Sequence, residues 1–361
     1  MNRNANSQGA GQMIGLINGL QVVGMDIAKS VFQVHSVDMG TGEIVNTQLK
    51  RAKVMEYFAN RQPCLIGIEA CGGAHHWARA LQSLGHSVRL LHAKAVRPFV
   101  AGNKTDATDA RAIWLAVQQP GTKFVGIKSE EQQATLVLHR QRELLMKMRI
   151  MQSNALRGLL YEFGATFARG KKALLSEIES VLQALVAKNS IPQYVADSLR
   201  EQVQRIKALD QDIKCIEQRL QERLKANAQM KRIAQIPGVG LLTATAAIAT
   251  MGEASAFKSA REFCAWLGLV PRQSGTGGKV KLLGISKRGD TYLRTLLIHG
   301  ARVVLQHSKE PGPWLEQLQQ RRPANVVIVA QAAKMARTIW AVTAKEQSYQ
   351  RDYQSTRPQA A

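Results

Sequence analysis

Cysteine and aromatic residues are scarce in this sequence. The four cysteines among its 361 residues lie far apart and include no C-x-x-C pair. That pattern excludes a disulfide framework and a cysteine zinc site, and it suits a reducing cytosol. Because aromatic residues make up only 5% of the chain, extensive base stacking of the kind used by single-strand-binding proteins is not expected.

Acidic residues are scarce as well. Against 49 Lys and Arg residues the chain has 26 Asp and Glu residues, which gives a net charge of +23. The positive charge is spread along the whole chain rather than confined to one tail. This balance does not fit a typical metabolic enzyme, and it predicts a polyanionic partner on a broad surface, most simply nucleic acid. A basic protein without such a partner is the alternative.

Long apolar segments are missing too. The N-terminal residues 1–19 are rich in Asn, Gln and Gly and lack the apolar core of a signal peptide. No apolar run reaches the length of a membrane span, so we expect a cytoplasmic protein with no membrane contact. Residues 1–19 are predicted to form a loose leader, and residues 346–361 a loose polar tail.

Residues 20–128 alternate between strand-like and helix-like segments. Short apolar runs predict strands over residues 20–26, 31–37, 44–49, 64–69 and 87–92. Helix-like patterns cover residues 74–84 and the segment that begins near Asp106. Three strands followed by further strands that alternate with helices predict an α/β domain with a mixed sheet.

Helical patterns dominate beyond residue 128. Residues 129–230 are predicted to form a basic helical region, and residues 231–345 a mostly helical C-terminal domain. In the first region apolar residues recur at three- and four-residue steps, namely at Val203, Ile206, Leu209, Ile213, Ile216 and Leu220. This stripe predicts either a helical hairpin packed on its own domain or a coiled-coil arm that pairs with another subunit.

Four acidic residues stand where metal ligands are common. Asp26 and Glu69 each end a predicted strand, while Asp106 and Asp109 lie three residues apart at a predicted helix start. Thr105 is the predicted N-cap of that helix. Strand ends and a helix start can meet at one edge of an α/β sheet, where carboxylates would bind Mg²⁺ for phosphodiester cleavage. The alternative for Asp106 and Asp109 is an acidic first turn that complements the helix dipole.

Residues 236–240, Ile-Pro-Gly-Val-Gly, precede a helix-like segment rich in small residues. This pattern is typical of a helix-hairpin-helix turn, in which backbone N–H groups near Gly238 and Gly240 would hold a DNA phosphate. A plain tight turn is the alternative.

A second glycine-rich segment carries two hydroxyl groups, those of Ser274 and Thr276, among basic residues. The basic residues are Arg272, Lys279, Lys281, Lys287 and Arg288. A serine that attacks a phosphodiester needs cations for the phosphate and a group that takes its proton, and no general base stands nearby in sequence. The residues alone therefore favour a phosphate-binding loop in which Ser274 donates a hydrogen bond.

Six segments, in this order, resemble the DEDD transposases of bacterial insertion sequences, the group related to the Piv DNA invertase and described as bridge-RNA-guided recombinases. They are Gly24–Lys29, Gly67–Ala70, Asn103–Arg111, Ile236–Gly240, Gly268–Arg272 and Ile285–Gly289. The resemblance covers residues 22–343. It implies a RuvC-like domain of the RNase H type, a helical coiled-coil insertion and a C-terminal transposase domain in a bacterial, nucleoid-associated protein.

The resemblance also implies roles for individual residues. The positions of the family's metal-binding carboxylates are held by Asp26, Glu69, Asp106 and Asp109. Ser274 stands at the position of the nucleophilic serine, and Thr276 is the alternative nucleophile. The implied cofactor is Mg²⁺, and the implied partners are double-stranded DNA, a guide (bridge) RNA and further copies of the chain in dimers and tetramers.

The segment Cys71–His76, which contains His75 and His76, stands where many relatives have a Thr-Gly pair and an aromatic residue. Because neighbouring side chains on a helix point about 100° apart, the two rings are not expected to bind one metal together.

The resemblance therefore implies a recombinase that excises and inserts its own insertion sequence through a phosphoserine link. A Holliday-junction-type nuclease is one rival, since it would use the same four acids with water and leave Ser274 as a phosphate contact. A nucleic-acid-binding protein without enzyme activity is the other, and Asp106→Asn would leave all of its activities intact.

Overall fold

The computed structural model describes residues 16–38, 40–103, 105–308, 310 and 312–351. Its contacts divide the chain into two compact units, one ending at Ser129 and the other beginning at Glu130. The finer division predicted from the sequence, into segments 1–19, 20–128, 129–230, 231–345 and 346–361, stays a prediction.

The N-terminal unit is a mixed α/β structure. Its strands are β1 (Leu16–Ile17), β2 (Leu20–Asp26), β3 (Val31–Val37), β4 (Ile44–Lys50), β5 (Leu65–Glu69), β6 (Ser87–Leu91) and β7 (Phe124–Val125). Its α-helices are α1 (Val54–Ala59), α2 (Ala74–Ser83), α3 (Ala93–Val96) and α4 (Asp106–Gln118).

These strands form one sheet in the order β4-β3-β2-β5-β6-β7, with β1 paired to β2. The first three long strands are an antiparallel meander, whereas β2, β5 and β6 run parallel to each other. The predicted mixed sheet is thus confirmed, and this order is consistent with a RuvC-like domain. Strand β1 lies inside the predicted loose leader, where Leu16 pairs with Gln21; residues 1–15 lie outside the described part of the chain.

Alternation along the strands sends side chains to two apolar cores, one on each face of the sheet. Val23 and Met25 of β2 face a core that includes residues of α1 and α2. Val22, one residue earlier, belongs to the core on the other face with residues of α3 and α4. The sheet is therefore covered by helices on both faces, which accounts for the almost continuous apolar runs of β2 and β5.

The C-terminal unit is mainly helical. Its helices are α5 (Glu130–Tyr161), α6 (Lys171–Ala187), α7 (Gln193–Ala226), α8 (Ala228–Ala234), α9 (Leu241–Met251), α10 (Ala260–Trp266), α11 (Thr291–His307), α12 (Pro313–Arg321) and α13 (Ala324–Ala344). Between α10 and α11 the chain forms a hairpin of strands β8 (Pro271–Thr276) and β9 (Lys279–Ile285).

The apolar stripe of α7 is covered within the same unit. Five of its six predicted members are buried, and Leu209 is half-buried. Helix α7 packs along α5, and ion pairs join the two helices, with 2.6 Å between Arg149 and Asp210 and 2.7 Å between Arg142 and Glu217. The first alternative, a helical hairpin packed on its own domain, accounts for this stripe.

Helix α5 also reaches the main C-terminal core through a buried histidine. The Nε2 atom of His139 lies 3.0 Å from Oγ1 of Thr245 on α9, and its Nδ1 atom lies 3.0 Å from the hydroxyl of Tyr292 on α11. Burial, with a smaller effect of the nearby Arg142 charge, lowers the pKa of His139 to about 4. The imidazole is therefore neutral at physiological pH.

Helix α13 is the one helix among the described residues that is long and apolar enough to cross a bilayer by length and composition. The sequence prediction that no segment has this length is wrong for α13. Its buried residues, which include Met335 and Ile339, pack in the C-terminal core with α10 and α11. It is a core helix of this unit.

Candidate active site

Two glycines in neighbouring strands form the surface on which α4 packs. Gly24 of β2 and Gly67 of β5 are register partners in the parallel pair. A Cβ atom on Gly24 would lie 2.2 Å from the carbonyl oxygen of Ala110 and 2.6 Å from the backbone nitrogen of Trp114. On Gly67 it would lie 3.0 Å from Cβ of Val117. The helix therefore approaches the sheet at a distance that only glycine permits.

This close packing brings the first turn of α4 towards the ends of the two strands. Continuing the register of β2 and β5 by one residue places Asp26 beside Glu69. Both side chains lie on the same face as the glycines two residues before them, which is the face that α4 covers. The indole Nε1 of Trp114 donates a hydrogen bond of 3.0 Å to the Val22 carbonyl and ties the helix to β2.

A capping box fixes where α4 begins. The backbone N–H of Thr108 donates to Oγ1 of Thr105 at 3.2 Å, and the N–H of Thr105 donates to Oγ1 of Thr108 at 2.9 Å. The predicted N-cap role of Thr105 is confirmed, although Thr108 takes the place that Glu or Gln usually has in this motif. Asp106 and Asp109 consequently lie in the first turn of the helix.

The four acids affect one another electrostatically. The pKa of Asp26 is raised to about 6, mainly by burial and also by the negative charges of Asp109, Asp106 and Glu69. A carboxyl group shifted in this direction by neighbouring carboxylates lacks a compensating positive charge. The structure thus brings the four predicted acids into one electronegative region at the edge of the sheet.

The donors of this region suit a hard divalent cation, because carboxylate oxygens are the ligands that Mg²⁺ prefers. Within the described residues, however, no three His, Cys, Asp or Glu side chains are close enough together to hold a metal ion. The carboxylates influence one another through space without forming a coordination sphere.

The histidine pair on α2 lies outside any such donor group. The Nδ1 atom of His75 accepts a hydrogen bond of 3.2 Å from the backbone N–H of Lys128, and its Nε2 atom lies 3.4 Å from Nζ of that lysine. His76 is exposed and packs edge-on against Trp77. His75 thus anchors the end of the N-terminal unit.

Ser274 lies in the C-terminal unit, on an exposed hairpin. All six residues of β8 are exposed, and so are the residues of β9 up to Gly284. Ser274 pairs with Lys281, and Thr276 pairs with Lys279. Directly paired residues share a face of a two-stranded ribbon, and so do residues two apart in a strand.

One face of the hairpin therefore carries the two hydroxyl groups together with the positive charges of Lys279 and Lys281, while Arg272 lies where the pairing becomes irregular. The opposite face presents the apolar side chains of Val280 and Leu282, which are 64% and 63% exposed. No acidic residue occurs between Pro271 and Gly289. Because the ribbon is exposed and basic, its hydroxyl-bearing face is accessible to a phosphate backbone. Lys287 and Arg288 follow β9 at the base of the hairpin.

A tight turn joins α8 to α9. Gly240 is the exposed N-cap residue of α9, and no side chain caps that helix end. Gly238 has a different role from Gly240, because its φ is +83° and a Cβ atom there would lie 2.7 Å from the Gly300 carbonyl oxygen of α11. Gly238 thus serves the packing of the turn, while Gly240 marks the accessible helix N-terminus.

Comparison with known proteins adds the decisive observation. Residues 23–164 match the family model for the DEDD transposase domain of the IS110 type, described as a transposase. Residues 230–315 match the model described as the transposase IS116/IS110/IS902 family. A protein of Pseudomonas aeruginosa named "Probable family 20 transposase" is 45% identical over 335 residues, 91% of this chain and 98% of that protein. The chain belongs to the IS110/IS116 transposase family.

Two further relatives cover the transposase almost completely. The transposase for insertion sequence element IS1111A of Coxiella burnetii is 38% identical over 336 residues, 91% of each chain. The transposase for element IS1328 of Yersinia enterocolitica is 36% identical over 326 residues, 89% of this chain and 96% of the relative. The protein is therefore an enzyme that acts on DNA.

The two matched regions contain the two groups of residues described above. The DEDD region of the transposase holds the four acids, and its presence indicates dependence on a divalent metal. The second region holds the turn at Gly238 and the hairpin with Ser274. Sequence reasoning missed Gly24, Gly67 and Thr108, although a glycine two residues before a strand-ending acid is a signal that both strands share.

Proposed function

We propose that this transposase excises and inserts its insertion sequence by cutting and rejoining DNA through a phosphoserine intermediate on Ser274. The observation that carries the proposal is the hairpin face that Ser274 shares with Lys281 and Lys279. A hydroxyl on an exposed ribbon can approach a phosphodiester, and adjacent cations can stabilise the charge that develops on the phosphate oxygens.

In the proposed first step the Oγ atom of Ser274 attacks a backbone phosphorus atom. A new Ser–O–P bond forms, the bond from phosphorus to the 3′ oxygen breaks, and the serine proton leaves as a free 3′-hydroxyl is generated. In the second step the 3′-hydroxyl of the partner strand attacks the phosphoserine and regenerates the serine. The number of phosphoester bonds is unchanged, so no high-energy cofactor is required.

The residues proposed to hold the metal are Asp26, Glu69, Asp106 and Asp109. A divalent ion held there, proposed to be Mg²⁺, would supply charge stabilisation for phosphodiester cleavage. The raised pKa of Asp26 supports this assignment, because four carboxylates in one region favour a cation among them.

DNA contacts are proposed for the basic face of the hairpin, for Lys287 and Arg288, and for the helix N-terminus at Gly240. A guide RNA is proposed as a second nucleic-acid partner, and its base pairing would select the DNA site. The net charge of +23 supports extended phosphate contacts on both nucleic acids. RNase treatment of the purified complex should abolish cleavage at the chosen site, and unaltered site choice would refute RNA guidance.

We propose that the transposase assembles as dimers and tetramers in the bacterial cytoplasm, on the nucleoid. Because the stripe of α7 is buried within one chain, we assign the pairing surface to α5. Exposed apolar residues follow one side of that helix, at Val137, Leu144, Met148, Met151 and Leu159. A row of this length is unusual on a helix with no partner. Leu144→Glu combined with Met151→Glu should shift the sedimentation coefficient to that of the monomer.

A trapping assay tests the chemistry. Purified protein with its co-purified RNA is mixed with Mg²⁺ and labelled DNA that spans the joined ends of the element. Denaturing gels should show a protease-sensitive DNA adduct for the wild type and for Thr276→Ala, and none for Ser274→Ala or Asp106→Asn. Cleavage that requires Asp106, leaves no adduct and survives Ser274→Ala would instead establish a junction nuclease that uses water.

A further inference from the structure

The β8–β9 hairpin has almost no packing of its own. Its strands are exposed along their length, and only Ile285 at the end of β9 is half-buried. A two-stranded hairpin without a covered face is marginally stable in water. The direction in which Ser274 points is therefore determined where the hairpin joins the helical core.

That junction is built from closely packed backbone. The N–H of Ser286 donates to the Val270 carbonyl at 2.8 Å, and the N–H of Lys287 donates to the Gly268 carbonyl at 3.1 Å. Gly268 has a φ of +73°, and a Cβ atom on it would lie 2.3 Å from the Arg288 carbonyl oxygen. The segments entering and leaving the hairpin thus touch through their main chains.

The side chain of Arg294 connects both segments to α11. Its Nη1 atom donates to the carbonyl of Leu267, before the hairpin, and to the carbonyl of Arg288, after it, each at 2.9 Å. Its Nη2 atom donates to Oγ1 of Thr291 at 3.1 Å. A planar guanidinium can hold these acceptors at once because its donors have a fixed geometry, which a lysine ammonium lacks.

Burying the Arg294 guanidinium has a high free-energy cost for a contact that is only structural. Arg294 is 7% exposed, and its three acceptors in the described part of the chain are uncharged oxygens. Removing a cation from water without an opposite charge is unfavourable, and an apolar residue would fill such a position on α11 at lower free energy. A function in holding the hairpin explains why a charge is present here.

We propose that Arg294 is a positioning residue, which fixes the base of the β8–β9 hairpin and thereby aims Ser274 at the DNA phosphate. It touches neither DNA nor the reacting atoms. The proposal rests on the proposed role of Ser274 as nucleophile, but its structural part, the ordering of the hairpin by Arg294, is independent of that role.

The test compares Arg294→Gln with the matched control Arg302→Gln, which makes the same change at an exposed arginine of the same helix. Hydrogen exchange is followed by mass spectrometry for the hairpin peptides and for α9. In Arg294→Gln we expect hairpin amides to exchange roughly tenfold faster or more, with α9 unchanged, since local openings vary independently of the core. In Arg302→Gln neither segment should change.

Adduct formation is measured in parallel on the full complex. Arg294→Gln should slow the formation of the Ser274 adduct by roughly 30-fold or more, because small misplacements of a nucleophile have effects of this size, while the Kd for DNA changes much less. If Arg294→Gln does not fold, Arg294→Lys takes its place, and faster hairpin exchange is again expected.

Two results would overturn the proposal. One is unchanged hairpin exchange in the folded variant, and the other is a parallel increase in α9, which would mean that Arg294 stabilises the whole unit. Failure of the proposed function looks different, because DNA cleavage would then survive in Ser274→Ala, without an adduct or with one on another residue, whatever the hairpin exchange shows.

Discussion

Gly24→Ala should displace the acidic region formed with α4 without changing any of its four acidic residues. The new Cβ atom would lie 2.2 Å from the Ala110 carbonyl oxygen, whereas ordinary contact begins at 3.4 Å, so α4 must retreat by about 1.2 Å. The opposing atoms belong to the helix backbone and cannot move aside by a rotamer change. Overpacking of this kind costs about 2 to 3 kcal/mol. A displacement of about 1 Å at a catalytic group can lower the rate by roughly 100-fold.

The matched control is Gly126→Ala in the same unit, where a Cβ atom would meet nothing within 4 Å. Thermal unfolding should place the melting transition of Gly24→Ala roughly 10 °C below that of the control. Metal-dependent DNA cleavage by Gly24→Ala, measured well below this transition, should be lost to a similar degree as in Asp106→Asn. If the two glycine variants unfold and cleave alike, the account of how α4 is seated is wrong.

Two further predictions concern the C-terminal unit. The free energy of unfolding should fall by up to about 3 kcal/mol as the pH drops from 6.5 towards 4, because His139 takes up a proton in the unfolded chain but not in the folded protein, where its pKa is about 4. Denaturant titrations should show a smaller fall for His139→Gln. An equal fall in the variant would contradict this explanation. Gly238→Ala should lower the melting temperature, because position 238 has a positive φ and a Cβ atom there would contact Gly300. Gly240→Ala should change the melting temperature by no more than a few degrees. Equal melting temperatures for the two variants would refute the packing role of Gly238.

The sequence predicted much of the N-terminal unit because its signals are local. Strand bounds such as Val31–Val37 and the helix start after Thr105 follow from apolar runs and capping chemistry within a few residues. The meeting of Asp26 with Glu69 also follows, since the ends of parallel strands meet at one edge. The close packing of α4 on the sheet could not be predicted in the same way, because Gly24 and Ala110 lie far apart in the chain.

The C-terminal unit shows what a periodic pattern leaves open. The stripe with Val203 and Ile206 predicted a buried face on α7, but periodicity does not identify the partner, which is α5 of the same chain. Likewise a glycine-rich basic segment indicated a loop, whereas the chain forms a paired hairpin around Ser274. The contacts of Arg294 depend on tertiary structure and had no signal in the sequence.

The most direct test of the central claim is to locate the DNA phosphate on the protein. The trapped adduct would be digested with nuclease and trypsin, and the peptide from Gln273 to Lys279, which contains both hydroxyl candidates, would be sequenced by tandem mass spectrometry. The account predicts a phosphate on Ser274. A phosphate on Thr276 or on another peptide, or cleaved DNA with no modified peptide, would contradict it.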